Sequence, residues 1–322
     1  MTAGEAAWQR TALAFVAAVE SGRLDLPLPG SGFTEERWAA FADLAGEDLS
    51  LARLGEGHAD AVAVLAELDG PPPSPGSRWG VWAANPPGPS VTASRRRGAW
   101  VLRGTKQYCS GARVCTHALV TAAADDGPRL FAVEVADAAP REGTWPAAGM
   151  AGSDTLDVEF PGITALPVGS PGAYTDRPGF SHGGAGVAAC WYGGARAIAR
   201  TLLNAAAKRD AGPHALAHLG GVDLALRPVR AALSRAADEI DADPSDSRGD
   251  GPLRALRVRT LTEAAATDVL RRTGRALGAG PLGHNEAHSR AVADLTVYLR
   301  QHHAERDLER LGELVAEHGA DW

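Results

Sequence analysis

The chain has 322 residues, of which 45% are hydrophobic, and its formal net charge is −7 at pH 7. This composition excludes an intrinsically disordered protein and is large enough for two or three domains. No face rich in lysine and arginine is evident, and no apolar stretch reaches 18 residues, so we expect neither a nucleic-acid nor a membrane partner. Three cysteines without zinc-ligand spacing favour free, buried thiols and a cytoplasmic location.

Residues 1–75 carry the apolar spacing of α-helices. In "FTEERWAAFADLA" the side chains of Phe33, Trp38, Phe41 and Leu44 fall close to one helix face. The pattern stops at "DGPPPSPGSRWG", whose prolines and glycines are typical of a connector. We therefore predict an N-terminal helical domain.

Residues 76–172 change to short β-rich runs such as "GAWVLRGT", "RLFAVEVA" and "TLDVEFPGI", which turn sequences separate. None of the connections is long enough to hold the crossover helix that usually joins consecutive parallel strands. The pattern therefore predicts an antiparallel β-domain.

Residues 173–322 return to helical spacing. Strong stop and start signals delimit four candidate helices, over residues 182–209, 214–241, 251–277 and 287–317. Long helices joined by short loops predict a C-terminal four-helix bundle. The glycines of "GGAGVAACWYGGARA" indicate close helix packing or room for a ligand, since no strand precedes them as a dinucleotide-binding loop requires.

Histidines near the end of the chain do not form a recognised metal motif. His284 and His288 are four residues apart, but the acid, Glu286, does not directly follow the first histidine as it does in zinc proteases. We therefore expect no metal ion, and we expect these side chains to line the edge of a cleft.

The segment "GTKQYCSGA", residues 104–112, allows two interpretations. It is either a solvated corner between two strands or a surface for a flat ligand. Alternation along a strand puts Tyr108 and Ser110 on one face. Such a pair offers an aromatic wall and a hydrogen-bonding hydroxyl.

The order of the three domains, together with Gly104, Lys106, Tyr108, Ser110 and Ala112 in this corner, resembles the acyl-CoA dehydrogenase superfamily of flavoproteins. The resemblance covers nearly the whole chain, with a shortened first domain. It implies the α+β fold of that superfamily and bound FAD. It also implies that Tyr108 lies beside the flavin ring and that Ser110 hydrogen-bonds near the reactive ring nitrogen.

Two looser matches extend the resemblance. "WAANPPGPSV" stands where the family has a flavin-binding loop, which makes Ser90 a candidate contact. The segment after the first bundle helix resembles the one that meets a neighbouring subunit's FAD, so Arg209, with Lys208 nearly as good, is a candidate for the pyrophosphate. This implies a homodimer or homotetramer, or pairing with a related chain.

The usual catalytic glutamate of the family is absent. Counting eight residues from Asp294, the position that the resemblance assigns to the base is His302, and the other known position, within residues 183–188, has no acid. A remote acid such as Glu286 stays open. We take His302 as the candidate catalytic residue.

The resemblance leaves three functions open. The first is FAD-dependent dehydrogenation of the CH–CH group of an acyl thioester, carried by CoA or a carrier protein. The second is a flavin-dependent monooxygenase of the same fold. The third is a non-catalytic flavin-binding or partner subunit.

Overall fold

The computed structural model describes residues 3–88, 90–207 and 212–319. The helices are α1 (Ala3–Glu20), α2 (Thr34–Glu47), α3 (Leu49–Glu67), α4 (Ala173–Asp176), α5 (Pro178–Ala206), α6 (Pro213–Ala242), α7 (Gly251–Leu277), α8 (Gly280–His284), α9 (Glu286–Tyr298) and α10 (Glu305–His318). The strands are β1 (Trp79–Trp82), β2 (Val91–Arg96), β3 (Ala99–Cys109), β4 (His117–Ala124), β5 (Gly127–Glu134), β6 (Ala139–Arg141) and β7 (Leu156–Val168). Within the described ranges, every helix is too short or too polar to cross a membrane.

The chain forms two compact units. The first comprises residues 1–26 and 53–180, and the second comprises residues 27–52 and 181–322. All seven strands belong to the first unit, and helices α5–α10 belong almost wholly to the second.

The strands of the first unit close into a ring. β4 pairs with β2, β2 with β3, β3 with β7, β7 with β5, and β5 again with β4, while β1 and β6 attach to β4 and β7. The expectation of a purely antiparallel sheet is wrong, because β1 and β2 both run parallel to β4. The hairpin of β2 and β3 returns the chain to the same end, so the parallel pairing needs no helix.

The core of the first unit lies between the sheet and α3. Ala61, Val64 and Leu65 of α3 pack with Leu119 and Leu130 of the sheet, and all five side chains are at most 2% exposed. Burying a leucine contributes about 1.5–3 kcal/mol.

In the second unit, glycines of α5 allow a close helix contact. A Cβ on Gly193 would lie 2.1 Å from the carbonyl oxygen of Ala42 in α2, and one on Gly194 would lie 2.6 Å from Leu49. Real side chains do not approach so closely, so the close helix packing predicted for this glycine-rich segment is confirmed.

The predicted single helix over residues 287–317 is wrong. α9 ends at Tyr298, a 3-10 turn covers Leu299–Gln301, and α10 begins at Glu305. Ala304, with φ of 52°, leaves the helical region, and its N–H donates to Nδ1 of His302 (3.1 Å). Side-chain acceptors thus replace the helical carbonyls, which is how polar side chains compete with a helix.

Candidate functional site

The 104–112 corner contains a β-bulge. From Lys106 to Cys109, β3 advances by three residues, whereas its partner β7 advances by only two, from Val158 to Leu156. Tyr108 lies in this bulge and has a φ of 59°. The alternation expected for residues 108 and 110 therefore does not hold, since a bulge redirects the side chains that follow it.

Tyr108 points out of the bulge. Its side chain is 50% exposed, and its ring meets Trp145 edge-on with 6.4 Å between centroids. A bulky residue at positive φ is strained by on the order of 1–3 kcal/mol, and such strain clusters at functional sites. The geometry presents an aromatic surface, which is what the predicted role requires.

Ser110 is buried and belongs to a chain of hydroxyl groups. Its Oγ lies 3.0 Å from Oγ1 of Thr155, which lies 2.8 Å from Oγ of Ser153. The Ser153 hydroxyl donates to the carbonyl of Met150 (2.7 Å), and the carbonyl of Ser110 accepts from the Trp82 indole (2.9 Å). The serine is therefore fixed through both its side chain and its backbone.

The ion pair between Arg113 and Asp154 holds the loop that carries the hydroxyl groups of Ser153 and Thr155. Asp154 accepts from the backbone N–H of Arg113 and from its guanidinium Nε, both at 2.9 Å. The N–H of Gly111 donates to the carbonyl of Ser153 (2.8 Å). The N–H of Ala112 likewise donates to the carbonyl of Asp154 (3.2 Å). Three consecutive residues, 111–113, thus bind the 153–154 segment, which leaves little freedom to the hydroxyl geometry.

Ser90 lies at the start of the same corner. Gly104 has φ of 120°, and a Cβ there would lie 2.2 Å from the carbonyl oxygen of Ser90. Only glycine permits this approach. Ser90 is exposed and directly precedes β2, which pairs with β3. Its role as a flavin contact remains a prediction.

Lys106 belongs to the recognised motif, but the sequence analysis assigned it no role. Its Nζ donates to Oδ1 of Asn85 (2.7 Å) and to Oγ1 and O of Thr121 (2.7 and 3.0 Å). Burial lowers the pKa of this lysine to about 8. Lys106 thereby ties the segment that begins the predicted flavin loop to β4.

Gln107 also escaped the sequence reasoning. Within the described residues its buried Oε1 has no hydrogen-bond partner, and a Cβ on Gly88 would lie 3.7 Å from it. Burying an acceptor without a donor costs about 1–3 kcal/mol. The corner therefore offers an acceptor that suits a ligand N–H.

His302 lies in the break between α9 and α10 and is 4% exposed. Its Nδ1 accepts the Ala304 N–H, so a neutral ring carries its proton on Nε2, which lies 3.0 Å from Oγ1 of Thr260. Burial lowers the pKa of His302, against a raising effect of the nearby Asp307. Both ring nitrogens are engaged within the protein, and the catalytic role of His302 remains a prediction.

Arg209 and Lys208 lie outside the described residues. His288 is buried with Nδ1 3.0 Å from Oγ1 of Thr201, whereas His284 is exposed.

Among the residues that the structure describes, no group of histidines, cysteines and acids could hold a metal ion. The three cysteines are free and buried, as predicted.

Several solved structures share this architecture, although no sequence comparison finds a relative. No family model and no curated protein sequence matches the chain. Glutaryl-CoA dehydrogenase from Mycobacterium smegmatis superposes with a TM-score of 0.80 at 17% identity, covering 97% of this chain and 88% of its own. The chain has the acyl-CoA dehydrogenase fold. The acyl-CoA dehydrogenase fold implied by the resemblance is thus confirmed, and the division into three domains stays a prediction.

Two other solved structures share this fold. The dibenzothiophene monooxygenase TdsC from Paenibacillus sp. A11-2 matches with a TM-score of 0.75 at 19% identity over 98% of both chains. The methanesulfinate monooxygenase MsuC from Pseudomonas fluorescens matches with a TM-score of 0.73 at 16% identity, over 100% of this chain and 98% of its own. Identities this low establish the fold alone.

Proposed function

We propose that this chain is a flavin-dependent oxidoreductase of the monooxygenase type. The observation that carries the proposal is the environment of His302. A dehydrogenase needs a group that takes a proton from the substrate, and the resemblance assigns that position to His302. A buried histidine with a lowered pKa, whose nitrogens already bind Ala304 and Thr260, is a weak base but holds a proton at Nε2.

The residues of the 104–112 corner fit a flavin. Tyr108 offers an exposed aromatic face, Ser110 a fixed hydroxyl, and Gln107 a buried acceptor without a donor. A large, flat, partly apolar ring with N–H and carbonyl groups along one edge matches such a set. We retain FAD as the predicted cofactor, with Arg209 as its predicted pyrophosphate contact.

The similar structures support the same class. TdsC and MsuC are monooxygenases, and TdsC has been crystallised with FMN. A bound reduced flavin supplies two electrons to dioxygen, so that one oxygen atom enters the substrate and the other leaves as water. The protein must receive the flavin already reduced, by a separate reductase or by a chemical reductant.

A second candidate is dehydrogenation of the CH–CH group of an acyl thioester. The likeness to glutaryl-CoA dehydrogenase favours it. It requires a proton acceptor other than His302 as the histidine stands here. Glu286 does not supply a buried one, since its side chain is 83% exposed and lies 3.8 Å from Arg290.

The two candidates are separated by the source of the electrons. The purified protein is mixed with FAD or FMN, and butyryl-, octanoyl- and branched acyl-CoA are added without air. We expect no bleaching of the flavin by any of them, and rapid reoxidation by air after dithionite reduction. Bleaching by an acyl-CoA would replace this proposal with the dehydrogenase. A protein that binds neither flavin, oxidised or reduced, at millimolar concentration would leave only a non-catalytic partner subunit.

A further inference from the structure

The bond from Ser153 to the Met150 carbonyl fixes the direction of the hydrogen bonds that link Ser153, Thr155 and Ser110. The Ser153 hydroxyl has one hydrogen, and it donates this to the Met150 carbonyl, which can only accept. Ser153 must therefore accept from Thr155, whose single hydrogen is used in this bond. Thr155 must in turn accept from Ser110.

We propose that Ser110 presents only lone pairs to a ligand, so that it accepts a hydrogen bond and does not donate one. This inference rests on the proposed flavin function. Among the described residues, no further hydrogen-bond partner occupies the Ser110 oxygen besides Thr155. The positions of Ser153 and Thr155 are fixed in turn by the bonds of Gly111 and Arg113 to the loop that carries them.

The consequence is a preference between the two redox states of the flavin. The reactive ring nitrogen of an oxidised flavin has a lone pair and no hydrogen, and it gains one N–H when two electrons and protons are taken up. An acceptor beside it repels the oxidised form and binds the reduced one. Ser110 therefore selects reduced flavin, and binding raises the two-electron reduction potential relative to free flavin.

This preference suits a protein that collects its flavin in the reduced state from another enzyme. A cofactor held permanently would not need a site that discriminates against its oxidised form. The chain of Ser153, Thr155 and Ser110 thus acts as a positioning device, in which two residues set the polarity of the third.

The test compares the affinities of the protein for oxidised and reduced flavin, using FMN and FAD in parallel. Dissociation constants are measured without air, with dithionite for the reduced state. Thr155→Val removes the acceptor of Ser110 while keeping the shape of the side chain. The Ser110 hydrogen can then turn to the flavin, so we expect the preference for reduced flavin to fall by about tenfold, which corresponds to about 30 mV for a two-electron couple.

Two further variants make the result specific. Thr155→Ser keeps the three linked hydroxyl groups and should retain the wild-type preference for reduced flavin. Ser153→Ala leaves the Thr155 hydrogen free to turn to Ser110 and should shift the preference in the same direction as Thr155→Val. Circular dichroism checks folding, and Ser153→Ala decides the test if Thr155→Val does not fold.

The outcomes distinguish this inference from the function on which it rests. Failure of wild-type protein to bind either flavin in either state overturns both. Tight binding with an unchanged ratio in both Thr155→Val and Ser153→Ala overturns the inference and leaves the flavin function standing. A wild-type preference for the oxidised form has the same meaning.

Discussion

The ammonium group of Lys106 donates to both oxygens of Thr121, on the neighbouring part of the sheet, and to Asn85. Three acceptors thus meet the three hydrogens of one compact cation. A guanidinium is planar and larger and cannot reproduce this arrangement. We therefore expect Lys106→Arg to destabilise the protein, whereas Lys208→Arg serves as the matched control because these are the only two lysines of the chain. Urea unfolding compares the variants, and equal midpoints would contradict the assignment.

The lowered pKa of Lys106 predicts how stability depends on pH. Its pKa is about 8 in the folded chain and about 10.5 when unfolded, so the unfolded state holds more protons between these values. Stability from this group must therefore rise with pH across that window, by up to about 3 kcal/mol. The unfolding free energy of wild type relative to Lys106→Met should show this rise.

The same pKa can be read directly. Protein labelled with ¹³C at the lysine ε-carbon gives two NMR signals, and Lys208→Arg identifies that of Lys106. A midpoint near 10.5 for the Lys106 signal would show that the lysine is hydrated rather than buried.

Gly104 is predicted to be the most sensitive glycine of the corner. A side chain there meets both a positive φ and the Ser90 carbonyl at 2.2 Å. Gly104→Ala should cost about 2–4 kcal/mol. Gly98 is the control, since its φ of 87° is also positive but no atom lies within 4 Å of its added Cβ. Gly98→Ala should cost about 1 kcal/mol. Equal losses in thermal or urea unfolding would contradict the close approach.

The buried His302 predicts a loss of stability in acid. Its pKa is lowered by burial, so between the folded value and about 6.5 the unfolded chain holds more protons. Stability should therefore fall as the pH drops below about 6.5. His302→Asn retains an acceptor for the Ala304 N–H and cannot be protonated there, so its unfolding free energy should change less between pH 7.5 and 5.5. His303→Asn, at an exposed neighbouring position, should behave as wild type.

Self-association is predicted by the resemblance and can be measured by light scattering. Leu216 and Leu224, two helical turns apart on α6, are 50% and 75% exposed. We expect a homodimer or homotetramer at micromolar concentration, and a smaller mass for Leu224→Glu. Leu13→Glu, on α1 and 72% exposed, is the control. A monomeric wild type would contradict the prediction.

The sequence predicted the fold but not the local geometry of its corner. The order of helical and β-rich segments and the motif around Lys106 were sufficient for the fold, because hydrophobic period and turn residues are local signals. The bulge at Tyr108 was not predictable, since it arises from the register between β3 and β7, about fifty residues apart in sequence. The hydrogen bond between Ser110 and Thr155 was not predictable either, because these residues are 45 positions apart in sequence.

The break between α9 and α10 at His302 was not predicted for a different reason. Leu308, Leu311 and Leu314 have helical spacing, and the prediction extended that helix back through residues 299–304, where the only apolar side chains are Leu299 and Ala304. The capping bonds of His302 and Asp307 outweigh that periodicity. A pattern of hydrophobicity does not record such a competition between side-chain and backbone acceptors.

The closed ring of strands also bears on how the molecule acquires its structure. β3 and β5 are both made before β7, yet each has one edge that only β7 covers. At a synthesis rate of about 5–20 residues per second, these edges stand open for seconds after β5 has been made. The ring therefore cannot close before β7 has been made, and its closure is a late event. In refolding followed by pulsed hydrogen exchange, the amides of β3 that face β7 should gain protection together with β7, and earlier protection of these amides would show that closure is not the deciding step.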